Sequence, residues 1–272
     1  MKALPYLLIL TVAGLFISFI EPGNSMKLNQ QGDDLVLTIL YDNYNHNSEL
    51  KSDWGFSCLI EGMDKTILFD TGTKGKIFME NMKKMGKDPK DVDIVILSHE
   101  HGDHTGGMEM FLEQNSDVKV YIPESFPDNI CNTITESGAT LYKIKDPKKI
   151  TDNLYTTGEM GSSIIEQSII LTTGKGNLII TGCAHPGIVE IVKKSAEIAG
   201  DDLLLVMGGF HLLRHSEEQV NKIVAIFKDM GVTYAAPTHC SGDKTLEAFK
   251  EVYGDHYLAL GAGKVLNISD LN

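Results

Sequence analysis

Apolar residues fall along this chain in two rhythms. Short runs rich in Val, Ile and Leu, bounded by Gly, Pro, Asn and Asp, recur at residues 35–41, 55–62, 65–72, 92–98, 117–123, 138–144, 167–172, 177–181, 201–209, 232–240, 256–260 and 263–268. Runs of this length and composition predict strands, the continuous ones buried on both faces. The pairs 55–62 with 65–72 and 167–172 with 177–181 are close enough to be hairpins, the second turning at Gly174 and Lys175. Between these runs, apolar residues three and four apart predict helices. Ile77, Phe78, Met82 and Met85 mark one over 75–85, and Met108, Phe111 and Leu112 mark one beginning at Gly106. Further helices fall at 187–199, 216–230 and 243–253. Ser216 is a capping residue for its helix, with Glu217 and Glu218 favourably placed in the first turn. Residues 124–150 carry no clear helical period and are interrupted by Pro127 and Pro147.

Both halves of the chain therefore alternate hairpins with strand–helix units. That pattern predicts an α/β fold, two mixed sheets faced by helices. No repeat, low-complexity segment or linker divides residues 26–272, which read as a single domain. The N-terminus is different in kind. One lysine precedes an apolar run over residues 3–20, and Gly23 and Ser25 offer small residues for cleavage before Met26. Residues 1–25 are expected to be an export signal or a membrane anchor, which places the rest outside the cytoplasm or tethered at a membrane.

Composition narrows the partners. With 272 residues and 42% hydrophobic content the chain can bury a sizeable core. A formal net charge of -13 disfavours nucleic acid and anionic lipid, leaving a small molecule as the expected partner. Oligomeric state is not legible. The four cysteines, Cys58, Cys131, Cys183 and Cys240, form no closely spaced zinc pattern and demand no disulfide.

The segment Val95–Gly107, VILSHEHGDHTGG, carries the chemistry. His99, His101, Asp103 and His104 follow a buried strand, where apolar neighbours cannot supply partners for so many polar groups. Imidazole and carboxylate together suit zinc, with iron or manganese as alternatives. His99 and His101 alternate across one residue, so an extended turn points both one way. Asp103 and His104 face different metals if the chain bends, and Gly102 permits the bend. One ion does not need all four groups; two ions roughly 3.5–4 Å apart do. The distant ligands would be His185, His211 and His239, each just past a predicted strand and flanked by glycine or proline. The C-terminal ends of strands are the usual location for an α/β site. His46, His215 and His256 look peripheral.

The SHEHGDH run at residues 98–104 resembles the signature of the metallo-β-lactamase-fold hydrolases. ILFDTG at 67–72, GCAHPG at 182–187 and PTHC at 237–240 resemble further motifs of that family, and the likeness spans about residues 35–268. The resemblance implies an αβ/βα sandwich with metals at one edge. It implies that His99, His101 and His185 hold a first zinc, that Asp103, His104 and His239 hold a second, and that Asp70 supports the cluster from behind. One departure stands out. Many members carry a bridging aspartate after the next strand, where this chain has MGGFHLL; Asp201 and Asp202 lie at that strand's other end. His211 is nearest to the position, as a ligand of one metal or a hydrogen-bond donor to substrate. YDN at 41–43, WGFSCLIE at 54–61, GGFHLL and PTHCSG resemble a finer subgroup related to dihydropteroate synthase, whose reaction makes a dihydropterin-methyl-ribofuranosylaminobenzene phosphate.

The function expected is metal-dependent hydrolysis of a small ester, lactone, amide or phosphodiester by an activated water, with Asp103 and His211 as the side chains nearest the chemistry. A dihydropterin-related condensation and a metal- or ligand-binding module with little turnover are the alternatives. Asn43, Trp54 and Phe210 are candidates to line the cleft. Cys183 and Cys240 neighbour candidate ligands, but a residue next to a ligand often points away, so both stay outside the primary set. Cys58 is expected in the core. Ser98 reads as a turn hydroxyl.

Overall fold

The computed structural model describes Met1 and residues 34–272; the N-terminal run read as a signal or anchor, and the boundary at residue 26, lie outside the described residues. Among the described residues no helix is long and apolar enough to cross a membrane.

The strands build two sheets. The first contains β1 (Val36–Tyr41), β2 (Ser57–Glu61), β3 (Ile67–Phe69), β4 (Ile94–Ile96), β5 (Lys119–Pro123) and β6 (Thr140–Ile144). The second contains β7 (Lys148–Thr151), β8 (Leu154–Thr156), β9 (Ile169–Thr173), β10 (Gly176–Thr181), β11 (Leu203–Gly209) and β12 (Tyr234–Thr238), and the last strand, β13 (Val265–Asn267), returns to the first sheet. The spatial orders are β13-β1-β2-β3-β4-β5-β6 and β12-β11-β10-β9-β8-β7. Both sheets are mixed. β3 through β6 pair in parallel, as do β10, β11 and β12, and the hairpins pair antiparallel. The inner parallel strands β3, β4, β10 and β11 are rich in Ile, Val and Leu because both their faces are covered.

Alternating side chains divide between three apolar layers. Ile39, Ile60, Phe69 and Ile96 of the first sheet meet Ile169, Leu171, Ile180 and Met207 of the second in the central layer. The opposite faces of the same strands pack under helices. Leu68, Val95 and Val120 lie beneath Phe78 and Met82 of α1 (Gly75–Lys84), Phe111 of α3 (Met108–Leu112) and Ile134 of α4 (Asp128–Glu136). Ile179, Val206 and Ala235 lie beneath Ile191 of α5 (Ile188–Ala199), Val224 and Phe227 of α6 (Glu217–Asp229) and Phe249 of α7 (Asp243–Tyr253). The result is the αβ/βα sandwich expected from the sequence. Ser216 caps α6 in a reciprocal box with Gln219.

Three local expectations need correction. The helix predicted from Gly106 is two short helices, α2 (Gly102–Thr105) and α3, separated at Gly106 and Gly107. A Cβ on Gly106 would lie 2.1 Å from the Thr73 carbonyl oxygen, and one on Gly107 would lie 2.2 Å from that of Thr71. The glycine pair is there so that the chain can cross the β3–α1 loop. Residues 128–136 form α4 although they are rich in Thr, Ile and Asn; Pro127, read as an interruption, stands at its N-cap. Residues 256–260 are not a strand. They make one bridge, Ala235 to Tyr257, after a turn at Gly254, where φ is 54°.

Candidate metal centre

Four non-glycine residues with positive φ occur among the described residues: Asp70 (57°), Ala184 (61°), His211 (55°) and His239 (50°). Each stands one to three residues past the end of β3, β10, β11 or β12. A left-handed conformation costs such residues of order 1–3 kcal/mol each. All four stand at the edge of the sandwich where the parallel strands end, and the turns they make carry the polar side chains described below.

The first group of donors is His99, His101 and His185, whose ligating atoms lie within 4.8 Å of one another. His99 Nε2 is 3.1 Å from His101 Nδ1. Two nitrogens on one tetrahedral ion, each about 2 Å from it, stand about 3.3 Å apart. The second group is Asp103, His104 and His239, and it also includes Cys183. Asp103 Oδ2 is 3.3 Å from His239 Nε2 and 3.7 Å from His104 Nε2. The groups adjoin, with the His99 and His104 rings 4.2 Å apart, and form one candidate metal-binding cluster.

The cluster suits a cation. His185 Nε2 and His239 Nε2 are buried with no hydrogen-bond partner. An orphaned buried polar atom costs about 1–3 kcal/mol, and a bound ion would remove that cost at both. Burial, reinforced by the neighbouring imidazoles, holds His99 well below the ordinary imidazole range. Burial and then His211 bring His185 down to about 4. Both rings are therefore neutral at pH 7, the form that ligates. Burial alone would raise Asp103, but the His239 ring, its Nε2 3.3 Å away, and the neighbouring His104 ring hold its carboxyl below the usual carboxylate range.

A supporting shell fixes these groups. Asp70 is fully buried, and its carboxylate accepts from the Ser98 amide, the Ser98 hydroxyl and His104 Nδ1, each at 2.7 Å. Nδ1 of His104 thus carries the proton and Nε2 faces the second group. Burial pushes His104 down, but the Asp70 charge and hydrogen bond outweigh it and bring it up to about 8. The Ser98 hydroxyl also meets His99 Nδ1 at 2.9 Å, so it orients a ligand rather than serving as an idle turn group. Asn43 holds His239 from two sides, through Nδ1 and through the carbonyl, both at 2.9 Å. Asp42 accepts from Thr238, one residue before His239, and burial raises its carboxyl to about 6.

Sequence reasoning missed Glu166. Its buried carboxylate accepts the amides of Cys183, Ala184 and His185 at 2.8–2.9 Å and the Thr181 hydroxyl at 3.1 Å. It anchors the whole loop that carries His185. The adjacent Gln167 donates from its side-chain Nε2 to the carbonyls of Leu97 and Tyr121 and from its backbone N–H to that of Ser98, strapping the second sheet to the loop of the histidine run. Neither residue carries a local motif that would mark it.

The cysteines differ from expectation as well. Cys183 points into the site, its sulfur 3.3 Å from His104 Nε2, and the Cys240 sulfur reaches the Cys183 carbonyl at 3.5 Å. Cys183 and His185 alternate across one residue just as His99 and His101 do, and that spacing was the available signal. Cys58 is in the central core, and Cys131 is on the buried face of α4.

His211 is exposed, and its ring lies 4.3 Å from that of His185 at a tilt of 48°. It groups with Cys183 and Cys240 and falls in neither of the two donor sets above. Trp54, 46% exposed, donates through Nε1 to Asp103 Oδ2 at 2.8 Å and lies 4.9 Å from the His239 ring. With His211, Leu213, Arg214, His215 and Cys240 it lines a cavity of about 510 Å³ over the cluster. His215, taken as peripheral, is thus at the cavity wall. Phe210 needs correction as a cleft residue. It is 1% exposed and packs on Phe227 and Phe249 beneath the helices, because the positive φ of His211 reverses the direction of the chain there.

Comparison with known proteins agrees with this geometry. The sequence pattern of the Metallo-beta-lactamase superfamily matches residues 55–130, the span from the β2 approach through the histidine run. A solved structure described as a metal-dependent hydrolase of the beta-lactamase superfamily superimposes with a TM-score of 0.72 at 28% identity, covering 85% of this chain and 98% of the other. The chain is similar to the metallo-β-lactamase superfamily, in sequence over residues 55–130 and in fold over most of its length. A curated relative from Methanocaldococcus jannaschii, 7,8-dihydropterin-6-methyl-4-(β-D-ribofuranosyl)-aminobenzene-5'-phosphate synthase, is 29% identical over 89% of this chain and 99% of its own length. The metallo-β-lactamase fold protein YhfI from Bacillus subtilis shares the fold, with a TM-score of 0.62 at 15% identity over 85% of this chain and 98% of that one.

Proposed function

We propose that this protein is a metal-dependent hydrolase of small-molecule esters, lactones, amides or phosphodiesters, with two zinc ions as its cofactor. The observation that carries the reading is the pair of adjoining donor groups, each with a buried, unpartnered imidazole nitrogen, below a cavity. His99, His101 and His185 would hold one ion, and Asp103, His104 and His239 the other. Zinc bound there supplies Lewis acidity, which brings the pKa of a water toward about 7 and polarises a substrate oxygen.

The chain's own residues supply the rest. Asp103 Oδ2 is fixed by Trp54 Nε1, so it is held in place to orient the attacking water as well as to ligate. His211, at the cavity wall and outside both donor groups, is placed to donate a hydrogen bond to the substrate oxygen or the leaving group; its contact with the Cys240 sulfur keeps it above the ordinary imidazole value. Trp54 offers a flat apolar wall and Arg214 a cation, which suits a ring-bearing anionic substrate. The net charge of -13 disfavours nucleic acid as the substrate. The apolar run at residues 3–20 supports export or membrane anchoring of the enzyme.

The test is turnover after the protein is stripped by chelator and reloaded with zinc, manganese or iron(II), on nitrophenyl ester, lactone, anilide and phosphodiester probes. Metal-dependent hydrolysis of at least one probe, lost in His99→Ala, is expected. Full metal loading with no hydrolysis in any class would instead favour a binding module. A second reading, dihydropterin-related condensation, is favoured by the end-to-end match to the archaeal synthase. It predicts joint consumption of a dihydropterin and an aminobenzene ribofuranosyl phosphate, with no hydrolysis of the simpler probes.

A further inference from the structure

The two donor groups leave an imbalance of charge. Two divalent ions in a buried site need anionic partners. Asp103 is the only carboxylate within either group. Asp70 is occupied by Ser98 and His104, and Glu166 by three amides and a hydroxyl. The end of β11 and the turn after it offer no carboxylate either, since Gly208, Gly209, Phe210 and His211 stand there. The remaining donor able to become an anion inside the second group is the Cys183 thiol.

The geometry points to Cys183 as a thiolate ligand of the second metal, completing an Asp103–His104–His239–Cys183 donor set. Its sulfur lies 3.3 Å from His104 Nε2 and within 4.8 Å of the ligating atoms of Asp103 and His239. Cys183 is buried, as are His104 and His239, and His239 Nε2 is one of the orphaned atoms. On binding, the S–H bond breaks, its proton leaves to solvent and the electron pair stays on sulfur as the metal–sulfur donor.

Cys240 is the positioning residue for this ligand. Its sulfur contacts the Cys183 carbonyl over Gly209, and a Cβ on Gly209 would lie 2.7 Å from that sulfur and 2.3 Å from the Gly182 carbonyl oxygen. The glycine in MGG is therefore the space in which the ends of β10 and β12 meet. A thiolate in the set favours zinc over manganese, since sulfur selects softer cations.

This inference rests on the metal-centre reading above, and its test is spectroscopic so that the two fail separately. The chelator-stripped full-length protein is loaded with cobalt(II), and its near-ultraviolet absorption is recorded for wild type, Cys183→Ser and Cys240→Ser. The expected result is a sulfur-to-cobalt charge-transfer band in wild type, absent in Cys183→Ser and retained in Cys240→Ser. Cobalt binding with no such band, or a band that survives Cys183→Ser, overturns the thiolate ligand and leaves the hydrolase reading standing. No cobalt binding at all overturns both. If Cys183→Ser does not fold, X-ray absorption of the zinc-loaded wild type decides. A sulfur shell near about 2.3 Å is expected, and nitrogen and oxygen scatterers alone, near about 2.0 Å, overturn the proposal.

Discussion

Replacing Asp70 with asparagine tests how the buried shell prepares the site. Asparagine is nearly isosteric and tolerates the φ of 57° found there. It presents an N–H, however, where the carboxylate accepts from both the Ser98 hydroxyl and His104 Nδ1. Facing that N–H, His104 must accept on Nδ1 and carry its proton on Nε2, which removes a donor from the second group. We expect metal affinity at that group to fall about 10- to 100-fold. A second effect belongs to the metal-free protein. The gap between the folded value of about 8 for His104 and its ordinary 6.5 corresponds to about 2 kcal/mol. Because the folded value is the higher, this stabilisation is complete below pH 6.5 and is lost as pH rises through about 8. Chelated wild type should therefore lose about 2 kcal/mol between pH 6 and pH 9 that Asp70→Asn does not lose. Taking the difference between the two proteins cancels the contributions of Asp42 and His185, which both keep. Denaturant unfolding at the two pH values measures it. Equal pH dependence in wild type and variant would refute the role given to the Asp70–His104 bond.

Other perturbations separate chemistry from packing. His211→Ala should retain metal at both donor groups and fold normally, while kcat/KM falls about 10²-fold or more for loss of a proton donor; metal analysis and kinetics at matched folded fraction check this. Gly209→Ala should destabilise by about 1–3 kcal/mol through overpacking against Gly182 and Cys240, read as a lower unfolding midpoint. Phe210→Ala should cost about 3–5 kcal/mol as a cavity in the helical layer, with KM nearly unchanged in the fraction that remains folded. N-terminal sequencing of protein secreted by its native host should find a chain beginning near Met26 if the export segment is cleaved, whereas a soluble cytoplasmic product that keeps Met1 would contradict both export and anchoring.

The two-sheet architecture was legible because each buried strand is a nearly uninterrupted apolar run, and because hairpins and helices alternate in the same order in both halves. The convergence of the six candidate donors on one sheet edge was legible for a related reason. His99, His185 and His239 follow such runs directly, at positions where a histidine has no apolar role. What escaped was whatever depends on distant chain segments meeting. Glu166 precedes an ordinary strand and acquires its role only when the β10–α5 loop folds over it. Phe210 adjoins His211 in sequence, yet the left-handed turn at His211 sends the two side chains to opposite sides. The helix at 128–136 has poor intrinsic helix formers and is held by Ile134 against the first sheet.

The most direct test of the metal centre is a crystal structure of the zinc-loaded protein with anomalous scattering recorded at the zinc edge. The account predicts two peaks, each bound by its own donor group, with His185 Nε2 and His239 Nε2 each about 2 Å from a peak. Loaded crystals with no anomalous density at this sheet edge, or with zinc bound elsewhere while those two nitrogens remain unligated, would contradict it.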